Sequence, residues 1–251
     1  MLHNYHTHTM RCNHALGSDR EYIESAIQRG LKTLGFSDHA TFMSGYDFHA
    51  SFRMGEDSMY EYSESIRALQ KEYEKDIRIL CGFEVEYYPD YHKEKMAFLN
   101  KINPDYIIMG QHFIGTEPAN FSAFQQFSDD FALLAYVNQV IAGMATGDFL
   151  YVAHPDIAGV NFSTQAIERE YTRLCVAAKR MQIPLEINLL GLRTNRHYPS
   201  KQFWEIVSKV GNDVILGIDA HAPEHILEEN AEKTALRMVD ELHLNLVDKL
   251  L

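Results

Sequence analysis

The first fourteen residues of the chain contain His6, His8 and His14, and they begin with an apolar segment. Residues two apart on a β-strand point to the same side of the sheet, so His6 and His8 can direct both imidazoles at one point near a strand end. Neutral imidazole is the commonest protein ligand for zinc-like ions. A His-x-His pair alone is equally consistent with an ordinary surface pair, so further ligand-type residues elsewhere in the chain are needed to indicate a metal site.

Ligand-type residues recur along the chain, each time at the end of a predicted strand or just after it. The further candidates are His39, Glu84, His112, His154, Asp219 and His221. A single histidine after a strand is usually a hydrogen-bonded structural residue, but repetition after strand upon strand favours metal ligation. One ion with open positions needs about three or four protein ligands, so nine candidates indicate more than one ion. Imidazoles with a few carboxylates suit zinc, manganese or iron, and Glu84 is the natural bridge between ions because it has two oxygens.

The elements that must position these residues alternate between strand and helix. Short apolar runs predict strands over residues 2–6, 31–36, 77–86, 104–110, 149–153, 183–187 and 214–218. Helices are predicted over residues 18–30, 56–75, 92–101, 127–147, 164–181 and 201–210, with a closing helical region from residue 223 onward. Ser18 and Glu21 have the spacing of a capping box, and Gly30 marks the end of the first helix.

The predicted order of elements indicates an α/β fold with a mainly parallel sheet. In a barrel of alternating strands and helices, the residues after the C-terminal strand ends converge on one face. An open doubly wound sheet gathers such residues only around its switch point. Because six of the seven predicted strands are followed by candidate ligands, we expect a distorted (β/α)7 TIM-like barrel forming a single domain over residues 1–251.

Composition and charge restrict the function. Hydrophobic residues make up 46% of the chain and charged residues 23%, which is ordinary for a globular protein. The net charge of −12 argues against non-specific binding to nucleic acid or to acidic membranes. Cys12, Cys81 and Cys175 are scattered, which favours the reducing cytoplasm over a disulfide framework, and the N-terminal segment lacks the basic region of a secretory leader. We expect a cytoplasmic protein that acts on a small molecule, and the sequence leaves its oligomeric state open.

These motifs resemble those of the PHP (polymerase and histidinol phosphatase) superfamily, in the same order and over nearly the whole chain. The matching segments are His6-Thr7-His8 with His14, Asp38-His39, Gly82-Phe83-Glu84, Gly110-Gln111-His112, Ala153-His154-Pro155 and Gly217-Ile218-Asp219-Ala220-His221. Within the superfamily, the opening with Cys12-Asn13-His14-Ala15 and the segments at residues 186–193 and 198–200 look most like the histidinol-phosphate phosphatases. The resemblance implies a distorted (β/α)7 barrel with a trinuclear metal centre at the C-terminal strand ends.

The resemblance also implies how the ligands divide among three divalent ions of zinc, manganese or iron. His6, His8, Glu84 and Asp219 would bind the first ion; Glu84, His112 and His154 the second; and His14, His39 and His221 the third. Glu84 is preferred over Glu86 because it matches the Gly-x-Glu motif of the family.

The implied activity is hydrolysis of L-histidinol phosphate to L-histidinol and phosphate, a step of histidine biosynthesis, by metal-activated hydroxide. The local charge of the ions would attract this phosphate to a protein of net charge −12. Glu84, Asp219 and His221 are the expected catalytic residues, and the proton donor for the leaving group is left open between Asp219, a nearby histidine and a water at the ions.

Three residues after the sixth predicted strand, Arg193, Arg196 and His197, are candidates for substrate contacts, since arginine suits bidentate capture of phosphate. The aromatic segments at residues 42–52 and 117–124 could form a lid or a pocket for an imidazole ring, with an ordinary surface loop as the alternative. Cys12 is interpreted as a small buried hydrophobe.

Two other functions stay open at this point. A related phosphoesterase acting on a nucleotide or another small phosphate ester would share the metal site and differ only in the pocket. A non-catalytic metal-binding module, as in degenerate PHP modules of polymerases, is disfavoured because no ligand position is missing from this chain.

Overall fold

The computed structural model describes residues 1–42, 50–117, 122–124, 129–159 and 161–251. The strands are β1 (His3–Asn4), β2 (Thr33–His39), β3 (Arg78–Val85), β4 (Tyr106–Met109), β5 (Leu185–Asn188), β6 (Asp213–Gly217) and β7 (Asn245–Leu246). The helices are α1 (Asp19–Arg29), α2 (Glu56–Glu72), α3 (His92–Ile102), α4 (Asp130–Met144), α5 (Thr164–Met181), α6 (Leu189–Arg193), α7 (Lys201–Val210), α8 (Pro223–Leu227) and α9 (Asn230–Leu242). A short 3-10 helix, Met10–Cys12, follows β1.

Several helices begin and end where their capping residues predict. At α1 the Ser18 side chain accepts a hydrogen bond from the Glu21 backbone, the Glu21 carboxylate accepts one from the Ser18 backbone, and Gly30 ends the helix. The bounds of α5 and α7 are those predicted, and each helix is capped by a serine, Ser163 and Ser200 respectively.

The strands pair in parallel throughout, in one sheet of order β1-β2-β3-β4 and another of order β5-β6-β7. Strand β2 continues beyond its predicted end at residue 36 and reaches His39, which lies beside Glu84 of β3 in the ladder. Two predicted ligands are therefore neighbours on adjacent strands, held there by backbone hydrogen bonds.

The two sheets meet through single-residue bridges. Val152 forms parallel bridges with Met109 of β4 and Leu185 of β5, and Thr7 after β1 bridges Ala220 after β6. Of the predicted strand at residues 149–153, only Val152 forms such bridges. The backbone of this segment is nevertheless hydrogen-bonded to both β4 and β5: Ala153 N donates to Met109 O at 2.9 Å, and Glu186 N donates to Val152 O at 3.0 Å. The result is an α/β fold with a curled parallel sheet.

Two short elements differ from the predictions. The region from residue 223 onward contains α8 and α9 as expected, but it ends in β7, which pairs with Asp213 and Val214 of β6. The segment after β5 lies outside the predicted helices but forms the one-turn helix α6, whose N-terminus is capped by the Asn188 side chain accepting a hydrogen bond from Gly191 N. Arg193 is the last residue of this helix rather than part of a loop.

The hydrophobic core of the described residues has a large cluster, which includes side chains of both strands and helices, and a small cluster made of residues in or next to the strands. The small cluster contains Tyr5, Leu80, Tyr106, Ile108, Tyr151, Ala153 and Ile215. The Tyr106 hydroxyl donates to the carbonyl oxygens of Tyr5 and Phe36, at 2.8 and 3.0 Å. These hydrogen bonds connect β4 to β2 and to the segment after β1. None of the helices in the described ranges is both long and apolar enough to span a bilayer.

Candidate metal centre

Glu84, near the end of β3, lies in the middle of the predicted ligands. Its Oε2 is 3.1 Å from His39 Nδ1, 3.5 Å from His8 Nε2 and 3.6 Å from His6 Nε2. Glu84 is 1% exposed, so these contacts are shielded from water. One carboxylate oxygen therefore faces imidazoles from both β2 and the segment after β1.

The other Glu84 oxygen, Oε1, faces a second pair of imidazoles. It is 2.9 Å from His154 Nε2 and 3.5 Å from His112 Nε2. Gly110 makes room for this carboxylate, because a Cβ at that position would lie 1.8 Å from Oε1. With its oxygens directed at different histidines, Glu84 has the geometry of a carboxylate that bridges two cations.

Asp219, which follows β6, is the second carboxylate of the site. Its Oδ1 lies 3.1 Å from His8 Nε2, 3.5 Å from His6 Nε2 and 3.4 Å from His221 Nδ1. Its Oδ2 accepts a hydrogen bond from Asn188 Nδ2 at 3.0 Å. The backbone of Asp219 is in the left-handed region at φ 50°, a strained conformation that is common at functional sites.

His14 reaches the same face from the loop after the 3-10 helix. Its Nε2 is 3.0 Å from His221 Nε2, and its Nδ1 lies 2.9 Å from the carbonyl oxygen of Cys12. One donor atom each from His14, His39 and His221 lies within 4.8 Å of the others, which is close enough to hold one ion. Cys12 is fully buried as expected, and its Sγ also lies within 4.8 Å of ring nitrogens of His8 and His221.

Buried carboxylates behind the centre orient three of its imidazoles. The pairs are His6 Nδ1 with Glu186 (2.7 Å), His8 Nδ1 with Asp38 (3.3 Å) and His112 Nδ1 with Glu86 (2.7 Å). A carboxylate on Nδ1 places the proton there and leaves the Nε2 lone pair for a metal, an arrangement typical of metal-ligating histidines. In each of these rings Nε2 is the atom directed at Glu84 or Asp219.

The electrostatics of the cluster suit bound cations. Burial alone would raise the pKa of Glu84, but His112, His39 and His6 around it hold that pKa well below its usual range. The pKa of Asp219 is also held well below its usual range, against its burial, chiefly by His6 and His8. Burial lowers the pKa of His39 well below its usual value, whereas the carboxylates around His6 outweigh its burial and raise its pKa. Metal binding requires ionised carboxylates and neutral imidazole, so a bound cation would displace the proton that these carboxylates attract to His6.

Several buried donor and acceptor atoms of the cluster lack hydrogen-bond partners among the described residues. Within the described residues, His6 Nε2, His39 Nδ1 and Asp219 Oδ1 have no hydrogen-bond partner. Buried polar atoms normally find partners, so three such atoms within the predicted ligand cluster fit a role as cation ligands. Among the described residues, the other groups with metal-ligand spacing are His6 with His8 and Asp219, His6 with Glu84 and His154, and His8 with His39 and Glu84. The residues present fit divalent transition-metal ions.

A cavity of about 480 Å³ opens above these ligands. Its wall is largely aromatic: the Phe52 and Phe113 rings stack with centroids 6.0 Å apart, and the Phe124 ring stacks on His112 at 6.1 Å. Phe52 and Phe124 belong to the predicted aromatic segments, whereas residues 43–49 and 118–121 of those segments lie outside the described residues, so the lid prediction is not tested.

The three predicted substrate contacts differ in position. Arg196 lines the cavity, and its Nη1 donates to the Tyr198 hydroxyl at 2.7 Å. Arg193 does not line it; its guanidinium donates to the carbonyl oxygen of Asp219 at 3.1 Å. His197 also lies off the cavity, with Nε2 2.9 Å from the carbonyl oxygen of Ile157.

Sequence reasoning missed a buried ion-pair network beside the site. Arg53 pairs with Glu86, the carboxylate that contacts His112, and with Glu117 at 2.7 Å. Together, Glu86 and Glu117 overcome the effect of burial and raise the pKa of Arg53 above its usual range. Arg53 and Glu117 lie in segments with no periodic pattern, so no local signal could have indicated this contact.

The chain is similar to proteins that are named as histidinol-phosphatases. A Deinococcus radiodurans protein named "Probable histidinol-phosphatase" is 28% identical over 228 residues, which cover 88% of this chain and 86% of the relative. A Bacillus subtilis protein named histidinol-phosphatase is 30% identical over 118 residues, covering 45% of this chain and 44% of the relative.

A solved structure supports the α/β fold with a curled parallel sheet. The histidinol phosphate phosphatase of Lactococcus lactis, crystallised with zinc, L-histidinol and phosphate, superposes with a TM-score of 0.72 at 19% identity, covering 98% of this chain and 95% of that one. The sequence profile of the PHP domain matches residues 4–189, well over half of the 251 residues. The chain therefore belongs to the PHP domain family.

Proposed function

We propose that this protein is a metal-dependent histidinol-phosphate phosphatase, which hydrolyses L-histidinol phosphate to L-histidinol and inorganic phosphate in the cytoplasm. The observation that carries the proposal is the convergence of six histidines on the buried carboxylates Glu84 and Asp219 at the floor of an aromatic cavity. The names of the relatives support the choice of substrate. All three cysteines are free and buried, in keeping with a reducing compartment.

For the architecture we propose a closed, distorted (β/α)7 barrel, with Val152 at the position of the fifth strand. Its support is the continuous series of parallel contacts from β4 through Val152 to β5, and from the end of β6 to the end of β1. At the second junction His8 N donates to Ala220 O at 2.9 Å. Closure of this kind brings the ends of all the strands to one face, where the ligands lie.

For the metal centre we propose three ions. His6, His8, Glu84 and Asp219 would hold the first, Glu84, His112 and His154 the second, and His14, His39 and His221 the third. The contacts of both Glu84 oxygens and the spacing of the His14 group support this division. When bound there, divalent ions would supply Lewis acidity, which would lower the pKa of a water and offset negative charge on the phosphate oxygens.

The other side chains bind and orient the substrate. Arg196 is fixed by Tyr198 at the cavity wall, where its guanidinium can donate hydrogen bonds to phosphate oxygens. The stacked Phe52 and Phe113 rings offer a face for the imidazole ring of the substrate. The Asp219 carboxylate and the His221 ring, 3.4 Å apart on the cavity floor, are the groups proposed to hold and return the proton that the departing alkoxide needs.

A substrate panel tests the proposal. Protein reconstituted with zinc, manganese or iron would be assayed for phosphate release from L-histidinol phosphate, nucleoside monophosphates, glycerol phosphate and p-nitrophenyl phosphate. We expect kcat/KM for L-histidinol phosphate to exceed the others by about a hundredfold or more, because only this substrate fills both the phosphate and the imidazole positions. A preference for nucleotides would indicate a related phosphoesterase. Retained metal without turnover of any ester would indicate a non-catalytic module.

A further inference from the structure

Glu186 is a buried carboxylate of β5 to which the proposed reaction assigns no role. Its side chain has no exposed surface, and it lies behind the metal centre rather than in the cavity wall. Gly217 on the neighbouring strand β6 makes space for it, because a Cβ there would lie 1.8 Å from Glu186 Oε1. Only glycine at position 217 therefore allows the Glu186 carboxylate to take this position.

Both oxygens of Glu186 are saturated with hydrogen-bond donors. Oε1 accepts from His6 Nδ1 at 2.7 Å and from the Tyr151 hydroxyl at 3.4 Å. Oε2 accepts from the His154 backbone N–H at 3.0 Å and from Asn188 Nδ2 at 2.9 Å. A carboxylate offers about four acceptor positions on its two oxygens, and here each is used. An amide in the same place would present an NH2 group to at least one existing donor.

Glu186 is connected to three of the predicted ligands, each at a different strand end. It contacts His6 and His154 directly and Asp219 through Asn188. His6 is held with its proton on Nδ1, so its Nε2 faces Asp219 and Glu84 at 3.5 and 3.6 Å. His154 has a left-handed backbone, φ 31°, and its N–H is the group bonded to Glu186. Asn188 extends the connection, since the same Nδ2 also donates to Asp219 Oδ2 at 3.0 Å.

We propose that Glu186 is a positioning residue that sets the geometry of His6, His154 and Asp219 together, and thereby the affinity for the first two ions. The inference rests on the proposed metal centre and deepens it, since it says which side chain outside the ligand set arranges the ligands. Loss of a carboxylate behind a ligating histidine typically costs about 10- to 100-fold in metal affinity, and Glu186 supports more than one ligand.

Glu186→Gln, an isosteric change, is the test. We expect zinc affinity, measured by competition with a chelator, to fall by about 10- to 100-fold or more with an unchanged far-UV circular dichroism spectrum. The visible spectrum of the cobalt-substituted protein should also change, because the ligand geometry changes. With ions bound at saturation, kcat should fall while KM changes little, since Arg196 and the aromatic wall are untouched.

Tyr151→Phe is the matched control, because it removes only the 3.4 Å contact to Glu186. It should leave zinc affinity and the cobalt spectrum unchanged. Native zinc affinity and a native cobalt spectrum in Glu186→Gln would overturn the inference. If Glu186→Gln fails to fold, Glu186→Asp provides the same comparison, since it keeps two acceptor oxygens but shortens their reach. Native zinc affinity in that variant would then overturn the inference. These metal measurements need no substrate, so inactivity of the native protein on L-histidinol phosphate would refute the proposed function separately.

Discussion

Substitution of Glu84 by glutamine changes the metal centre at its middle with almost no change of volume. The carboxylate lies 2.9 Å from His154 Nε2 and 3.1 Å from His39 Nδ1, with an oxygen directed to each side. Glutamine keeps one acceptor oxygen and replaces the other with an NH2 group, which cannot ligate a cation. The change therefore removes one ligand oxygen and one negative charge from a site that is 1% exposed.

The size of the effect follows from the lost charge. A unit charge about 4 Å from another attracts it by about 4 kcal/mol at an effective dielectric constant of about 20. About 4 kcal/mol corresponds to about a thousandfold in binding or in rate. We expect Glu84→Gln to lower metal content and to reduce kcat/KM for L-histidinol phosphate by about a thousandfold.

Glu86→Gln is the matched comparison, two residues along the same chain segment. Glu86 contacts His112 Nδ1 at 2.7 Å and pairs with Arg53, so it orients one ligand without facing the others. Its loss should cost about 10- to 100-fold, with metal content reduced less than in Glu84→Gln. Metal content per chain and phosphate release would be measured for both variants. Equal losses from the two substitutions would refute the assignment of Glu84 as the bridge.

Three further predictions concern substitutions of single residues. Arg196→Ala should lower kcat/KM by about 10- to 100-fold through loss of a charged hydrogen bond to phosphate, with unchanged metal content; loss of metal would contradict this role. Gly110→Ala should displace the Glu84 carboxylate, 1.8 Å from the new Cβ, and weaken zinc binding, whereas Gly55→Ala, with no atom within 4 Å, should leave zinc titrations unchanged. Burial lowers the pKa of Lys95 from 10.5 to about 8. Because the folded-state pKa is the lower one, native stability should rise with pH between these values. Lys95→Met should therefore be more stable by about 3 kcal/mol in urea unfolding at neutral pH, with a gap that closes in alkali; a gap independent of pH would contradict the explanation.

Local patterns in the sequence predicted much of the fold. The Ser18–Glu21 capping box and Gly30 set the ends of α1, and the periodicity of residues 164–181 gives the bounds of α5. Strand-end positions of histidines and carboxylates were also visible, because parallel strands bring their C-terminal ends to one face. These signals depend on residues close together in the chain.

Features that depend on distant partners could not be predicted. Arg193 donates to the carbonyl oxygen of Asp219, 26 positions away, and no local pattern indicates this contact. Glu186 contacts His6, 180 positions away, and nothing near residue 186 indicates that partner. The segment at residues 149–153 has the apolar pattern of a strand, yet only Val152 forms bridges, since strand length is set by pairing with neighbours rather than by pattern alone.

Titration of the metal-free protein with zinc, with phosphate release from L-histidinol phosphate measured at each step, tests the proposed three-ion centre and its reaction together. We expect activity to rise until three ions are bound per chain, because the ligands of each ion include residues that line the same cavity. Full activity with a single bound ion per chain, or three bound ions without hydrolysis of L-histidinol phosphate, would contradict the proposed centre.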